Sequence, residues 1–522
     1  MEKIETIERI DFRERVKALR ADVVQLLYKE CTPHVLIVTD SLSYDPAQGF
    51  ALTQFVNTLK ASTIHGMTPK VTTASRGNDA TANLPSYSFT NPTNGLIKSR
   101  YDVVFLFGVA SEGVNPLPAA EVEAIAKFME AGGGVFATGD HETLGASLCG
   151  DVPRVRAMRK WKNASSPPHV SNTNRFSTNL SGPNESEEFS DQSNTQPQRL
   201  YINFRTVAGG LGQPHPLVQL KAPRRVLEVF PDHPHEGQCV VPAALNTTFQ
   251  LGGVALPEWP NDTLGAELRP EIVAMSVSHG DGFDAKAPLT PRLFAAIVAY
   301  DGQRANKGRV VTDSTWHHFI NINLDGTGEP GFTGLQNPAG VDTEVLKRIR
   351  EHYVNLATWL MPKNVRKCLL FPVLIGELAR YPLFEELELP RLQDAGSTQL
   401  RRIGEQIVAS LARRVPRWQA EALVADALEE GIGEKAALEM LDDPDRPGFE
   451  IAHAALGGVV AAVAEQLAEI KDVERIKPHE TFEVLARGGA KHGARLMVKY
   501  RRDGIARLSE KLDLVEKSLA EG

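Results

Sequence analysis

Three short runs in this sequence set imidazoles beside carboxylates. The first is Asp140-His141-Glu142, after Gly139 in AGGGVFATGDHETLG. The second is Asp232-His233-Pro234-His235-Glu236, and the third is Asp313-Ser314-Thr315-Trp316-His317-His318. Each follows an apolar stretch that reads as a buried strand. Adjacent ionisable groups at a strand end are costly unless water, a ligand, a metal or one another satisfies them. In open α/β sheets ligands sit outside the carboxyl ends of the strands, so chemistry is expected first at these three runs.

Two chemistries suit these residue types. In one, His141, His233, His235 and His317 ligate a divalent metal such as zinc or manganese, with Glu142 or Glu236 as base. In the other, no metal takes part: His317 or His318 is the base and Asp140 its partner. The candidate catalytic residues are Asp140, Glu142, Glu236 and His318. An inert alternative has the same groups bonding to one another and to strand-end amides. None of the runs matches HExxH or another established zinc signature.

Other residues frame the site. Asp40-Ser41 ends the first strand and either contacts a ligand or caps a turn. Arg154, Arg156, Arg159 and Lys160 form either an exposed basic helix face or a patch that neutralises an anionic substrate, with Arg154 and Arg159 as its candidates. Ser147 and Ser314 lack the G-x-S-x-G turn of serine hydrolases, and Cys149, in ASLCGD, is expected inside a helix rather than on a nucleophile elbow. Neither GxxxxGK[ST] nor GxGxxG follows the first strand.

The elements that must position these groups are legible as apolar periodicity. Strands are expected at His34–Thr39, near Lys70–Ala74, and at Tyr101–Gly108 and Val135–Thr138. Later ones are expected at Arg225–Phe230, Glu271–Val277, Phe294–Tyr300 and Gly308–Asp313. Helices fit residues 11–30, Gln48–Ser62, Ala119–Glu130 and Asp342–Met361. Strands alternating with helices predict an α/β fold, a parallel sheet wound by crossover helices. If the strands before the three runs are neighbours in one parallel sheet, all three runs project from the same edge.

Residues 161–199, rich in Ser, Asn, Pro and Gln, are expected to form a partly ordered lid within an α/β domain spanning 33–361. Residues 1–32 are an N-terminal helical segment. Residues 362–522 form an all-α accessory domain for packing or assembly, with helices at Ser397–Arg414, Arg417–Glu430, Glu434–Leu441, Phe449–Glu469 and Gly493–Leu519. Gly457–Ala464, GGVVAAVA, reads as a close helix–helix seam.

Composition bounds the function. Hydrophobic residues make up 42% of the 522 and charged residues 23%, as in globular proteins, and the net charge of -8 argues against a nucleic-acid binder relying on bulk positive charge. The four cysteines form no CxxC and read as reduced thiols in a cytoplasmic protein. The charged N-terminus lacks a signal-peptide core, and Ile451–Ala464 is too short to span a bilayer, so no membrane association is expected. The expected partners are a small-molecule ligand and, through the C-terminal helices, another copy or another protein.

YDVVFLFG, a helix and AGGGVFATGD together resemble the central βαβ of the class I glutamine amidotransferase-like superfamily, nearest its ThuA-like branch. GRVVTDSTWHHF is similar to the later strand that delivers a histidine there. The resemblance covers roughly residues 33–361 and implies a flavodoxin-like parallel sheet with flanking helices. The chain departs from the amidotransferase pattern at the elbow, where Gly139-Asp140-His141 stands and no cysteine does, so thioester-based glutamine hydrolysis is excluded.

The expected function is therefore a hydrolase or lyase acting on a small polar, anionic or sugar-like substrate. The alternative is a non-catalytic ligand-sensing or scaffold protein with a degenerate amidotransferase-like domain and a helical assembly domain.

Overall fold

Strands covered by helices on both faces must be apolar throughout, and the runs singled out above obey that rule. A computed structural model describes residues 31–64, 66–163, 176–177, 197–206, 212–231, 235–278, 292–331, 333–380, 391–441, 447–469 and 478–521. Its main sheet has nine strands: β1 His34–Thr39, β2 Lys70–Ser75, β3 Val103–Phe107, β4 Gly134–Thr138, β5 Pro197–Ile202, β6 Val229–Pro231, β7 Glu271–Ser278, β8 Arg292–Tyr300 and β9 Val310–Asp313. The order across the sheet is β2-β1-β3-β4-β9-β8-β7-β5-β6. The first five are parallel, in the 2-1-3-4-5 order of flavodoxin-like sheets. The other four are joined to them and to one another in antiparallel fashion.

The sheet is thus mixed, which corrects the expectation of one parallel sheet behind all three histidine-rich runs. Two of the runs follow neighbouring parallel strands, β4 and β9. The remaining one, the second in chain order, follows β6 at the far edge, separated from β9 by β8, β7 and β5.

The two faces of the parallel half are built by alternate residues, as the period of two in a strand requires. On one face Phe55 of helix α1 (Thr53–Ala61) packs edge-on against Phe105, Phe107 and Phe319, and Phe136 tilts against Phe105 and Phe107 and meets Phe319 edge-on. On the other, Leu36, Val38, Val104, Leu106, Val135 and Ala137 bury against Ile125, Phe128 and Met129 of α2 (Ala119–Glu130). Helix α1 starts later than its expected Gln48 because Leu52 N–H donates to Ser43 O at 2.9 Å, holding residues 43–52 in a turn. Two short helices follow, α3 (Ala146–Cys149) and α4 (Asn321–Asp325). Next is α5 (Glu344–Leu360), capped by Thr343 Oγ1, which accepts the Leu346 N–H at 3.3 Å. The strand expected at Arg225–Phe230 shrinks to β6, because residues 220–225 form a turn in which Arg225 has a left-handed φ of 62°.

The chain divides into two compact units. Thr32–Arg205 with Gln213–Arg366 is the α/β unit, and Lys367–Gly522 with Met1–Cys31 and Thr206–Gly212 is the other. The helix expected over 11–30, and nearly all of the Ser/Asn-rich segment read as a lid, lie outside the described residues. Helix α6 (Lys363–Arg380) is followed by α7 (Ser397–Leu411), α8 (Arg417–Ile432), α9 (Glu434–Leu441), α10 (Pro447–Glu469) and α11 (Pro478–Glu521). The seam read from GGVVAAVA is real: a Cβ on Gly458 of α10 would lie 2.0 Å from the Gly489 carbonyl of α11. That contact explains why α11 begins well before the expected Gly493. Within α10, Gly448–Leu467 is long and apolar enough to cross a membrane by length and composition, exceeding the segment judged too short above, and most of it is buried.

The reading of four reduced thiols is corrected for one pair. Cys31 and Cys368 form a disulfide with Cα atoms 5.7 Å apart, while Cys149 and Cys239 are buried thiols outside any disulfide. The cytoplasmic expectation loses that ground, since disulfides persist mainly in oxidising compartments. Iodoacetamide added to denatured protein without reductant should label two cysteines, and four after reduction. Mass spectrometry showing four labels before reduction would contradict the bond.

Candidate functional site

The site is built where β4 and β9 end side by side. After β4 the chain turns so tightly that a Cβ on Gly139 would lie 2.2 Å from the Leu144 carbonyl. Asp140 N–H donates to Leu144 O at 3.1 Å, and Glu142 takes a left-handed φ of 52°. After β9, Asp313 Oδ1 accepts the Thr315 N–H at 3.1 Å, and Thr315 Oγ1 accepts the His317 N–H at 3.1 Å. Trp316 N–H donates to Gly139 O at 2.9 Å, tying the two strand ends together.

Asp140 is the meeting point. Its Oδ2 lies 3.0 Å from His141 Nδ1 and 3.7 Å from His317 Nε2. His317 Nδ1 is held by Asn323 Oδ1 at 2.9 Å, and its ring stacks on Trp316 at 4.1 Å. Asp140 and His317 are buried, whereas the His141 side chain is 19% exposed. His141 is therefore the ring of this trio that a substrate can reach.

His318 is held differently. Its Nδ1 pairs with Asp313 Oδ1 at 2.7 Å, the Tyr353 hydroxyl donates to its carbonyl, and its ring stacks on Phe230 of β6 at 4.1 Å. Both members of this aspartate–histidine pair are buried.

Arg159, expected under an anionic substrate, does something else. It is fully buried and donates to four carbonyls: Asp140 O at 2.5 Å, Ser314 O at 2.8 Å, Asp313 O at 3.2 Å and Lys160 O at 3.3 Å. Its guanidinium lies 4.4 Å over the Trp161 ring. Burial pulls its pKa down, and the nearby Cys239, Asp140, Cys149 and Asp313 oppose that shift. Its donors clamp the two strand ends together.

Arg154 is likewise buried, with donors directed at Glu130 Oε1 (2.5 Å) and Glu258 O (2.9 Å). Asp40 sits at the end of β1 and accepts the Val109 and Ala110 N–H groups at 2.8 and 3.2 Å, with burial pushing its carboxyl up. Ser41 is exposed, its N–H on Thr39 Oγ1 at 3.2 Å. Neither Arg154 nor Asp40 is brought to the trio.

Of the second histidine-rich run, Asp232, His233 and Pro234 lie outside the described residues. His235 and Glu236 pair as a short strand with Phe176 and Ser177. The next residue, Gly237, donates its N–H to Ser314 O at 3.1 Å, so this segment does approach the β9 end. A Cβ on Gly237 would fall 1.9 Å from Arg159 Nη2.

Of the four residues expected to ligate a metal, His141 and His317 turn ring nitrogens toward the same Asp140 Oδ2, while His233 and the side chain of His235 lie outside the described residues. Among the described residues no group of three or more His, Cys, Asp or Glu could hold a metal ion. Cys149 is buried and its thiol is pushed well above its ordinary pKa by that burial, which suits the expectation that it is no nucleophile.

Sequence reasoning missed Asn323, Tyr353, His352 and Phe230, which position the two aspartate–histidine groups. The only signal was polarity in apolar surroundings, as at Asn321 and Asn323, both fully buried. His352 is buried, hydrogen-bonded to Leu217 O at 3.0 Å, and held by burial at a pKa of about 4 against an ordinary 6.5.

Between those two values the unfolded chain takes up a proton that the folded chain refuses. The fold therefore keeps its full stability above pH 6.5 and loses about 3 kcal/mol from this group as pH falls to 4. Urea midpoints should drop across that window, and His352→Gln should flatten the slope; an unchanged slope would remove His352 as the cause.

Compared with known proteins, the chain matches no family model and no curated protein.

Proposed function

We propose that the α/β unit is a metal-independent hydrolase or lyase acting on a small polar, anionic or sugar-like molecule, with His141 as general base. The observation that carries this reading is the 3.0 Å contact between His141 Nδ1 and Asp140 Oδ2. A carboxylate on Nδ1 fixes the tautomer and so places the basic lone pair on Nε2. Asp140 orients the ring and stabilises the imidazolium that forms when a proton is taken. His317, held by Asn323, brings a second imidazole to 3.7 Å from the same carboxylate. Glu142, displayed on the left-handed turn beside His141, is the residue we assign to substrate contact.

The strand order and the tight turn after β4 support membership of the class I glutamine amidotransferase-like superfamily, nearest the ThuA-like branch. A fold hosts many chemistries, so the activity rests on the site itself. The missing elbow cysteine favours the second reading, a ligand-sensing domain.

A panel of small nitrophenyl esters, phosphates and glycosides, assayed in excess chelator, separates the two. Turnover that survives chelation and is lost in His141→Gln supports the enzyme. No turnover, or turnover indifferent to that substitution, overturns it.

A further inference from the structure

Helix α11 carries an apolar stripe that the other described residues leave uncovered. Its first half packs through Ala486, Ala490, Ala494 and Met497, all buried in the helical core. From 499 to 520 every residue except Gly504 is exposed. Within that stretch Ile505, Leu508, Leu512, Val515 and Leu519 succeed one another at spacings of three, four, three and four. Each is between 53% and 76% exposed. That spacing is the a/d seam of a heptad repeat, which drives helices to pair along it. A helix continuing about 20 Å beyond its packing with such a seam in water needs a partner.

Charge identifies the partner. With Ile505 at position a, Lys511 falls at g and Glu516 at e. In a parallel, in-register pair of identical helices, g of one copy faces e of the next heptad in the other. Lys511 of each copy then meets Glu516 of the other, twice per pair. Neither charge has an opposite at helical spacing in its own chain. Three and four residues from Lys511 stand Arg507, Leu508, Leu514 and Val515; from Glu516 stand Leu512, Asp513, Leu519 and Ala520. In an antiparallel pair e faces e and g faces g, and these two charges would not meet.

We propose that residues 505–519 of α11 dimerise the protein, a second copy docking as a parallel, in-register coiled coil. This inference is independent of the proposed chemistry.

Sedimentation of the full chain over a range of concentrations tests it. The native protein should run as a dimer, and Leu508→Glu/Leu512→Glu as a monomer with unchanged helical circular dichroism. Lys511→Glu or Glu516→Lys alone should raise the dimer Kd by roughly tenfold. Mixing those two single variants, or combining both changes in one chain, should restore it. A native chain that stays monomeric, because residues 1–30 or another protein cover the stripe, overturns the proposal. So does a dimer indifferent to Leu508→Glu/Leu512→Glu, and charge swaps that fail to rescue one another overturn the parallel register.

Discussion

Arg159→Ala is expected to cost about 3–5 kcal/mol, since several buried carbonyls lose their donor at about 1–3 kcal/mol each, and to bring the α/β unit close to unfolding. Domains are stable by only about 5–15 kcal/mol. The effect should be large because one guanidinium serves four carbonyls at the ends of two strands. Alanine leaves those acceptors buried without their donor and opens a void against Trp161. Lysine keeps the charge but lacks the planar fork, so Arg159→Lys should fall between alanine and the native residue. Gly237→Ala should act in the same direction, since its methyl would occupy the position of Arg159 Nη2. Urea denaturation followed by tryptophan fluorescence reads all three. An Arg159→Ala variant within about 1 kcal/mol of native stability would show that the clamp is dispensable.

The second large effect is on turnover. General acid–base catalysis by one positioned side chain contributes about 10²–10⁴-fold. His141→Gln should lower kcat/KM of any panel substrate by that factor. Asp140→Asn should do nearly as much, since the amide keeps the volume but cannot stabilise an imidazolium. His317→Gln should cost less, because its Nε2 stands 3.7 Å from the carboxylate and not at hydrogen-bond distance. Steady-state kinetics on folded variants checks the ranking; a loss confined to His317→Gln would move the base to the buried ring.

The parallel half of the fold was legible because HVLIVT, VVFLF and GVFAT are apolar on both faces, as β1, β3 and β4 must be. The order of strands depends on long-range pairing, which local patterns do not encode. The antiparallel turn taken by β8, β7, β5 and β6 therefore went unread, and with it the true place of the second histidine-rich run.

Asp140, His141 and His317 were legible as polar groups at strand ends, and the adjacency of β4 and β9 brings them together. Arg159 was not, because a sequence shows that an arginine is present but not that it is buried under carbonyls. Asp40 and Arg154 share that blind spot: their partners are backbone groups and a glutamate far away in sequence. His352 and Tyr353 lie on one turn of α5, where an amphipathic pattern says "core" without saying which site the core supports.

Whether Asp140 and His141 act as one acid–base unit is read most directly from a double-mutant cycle in kcat/KM. Residues that work as a unit lose their effect together, so Asp140→Asn/His141→Gln should be no slower than the worse of its single variants, within a few-fold. If the two losses multiply instead, the two groups act independently and Asp140 is not what makes His141 a base.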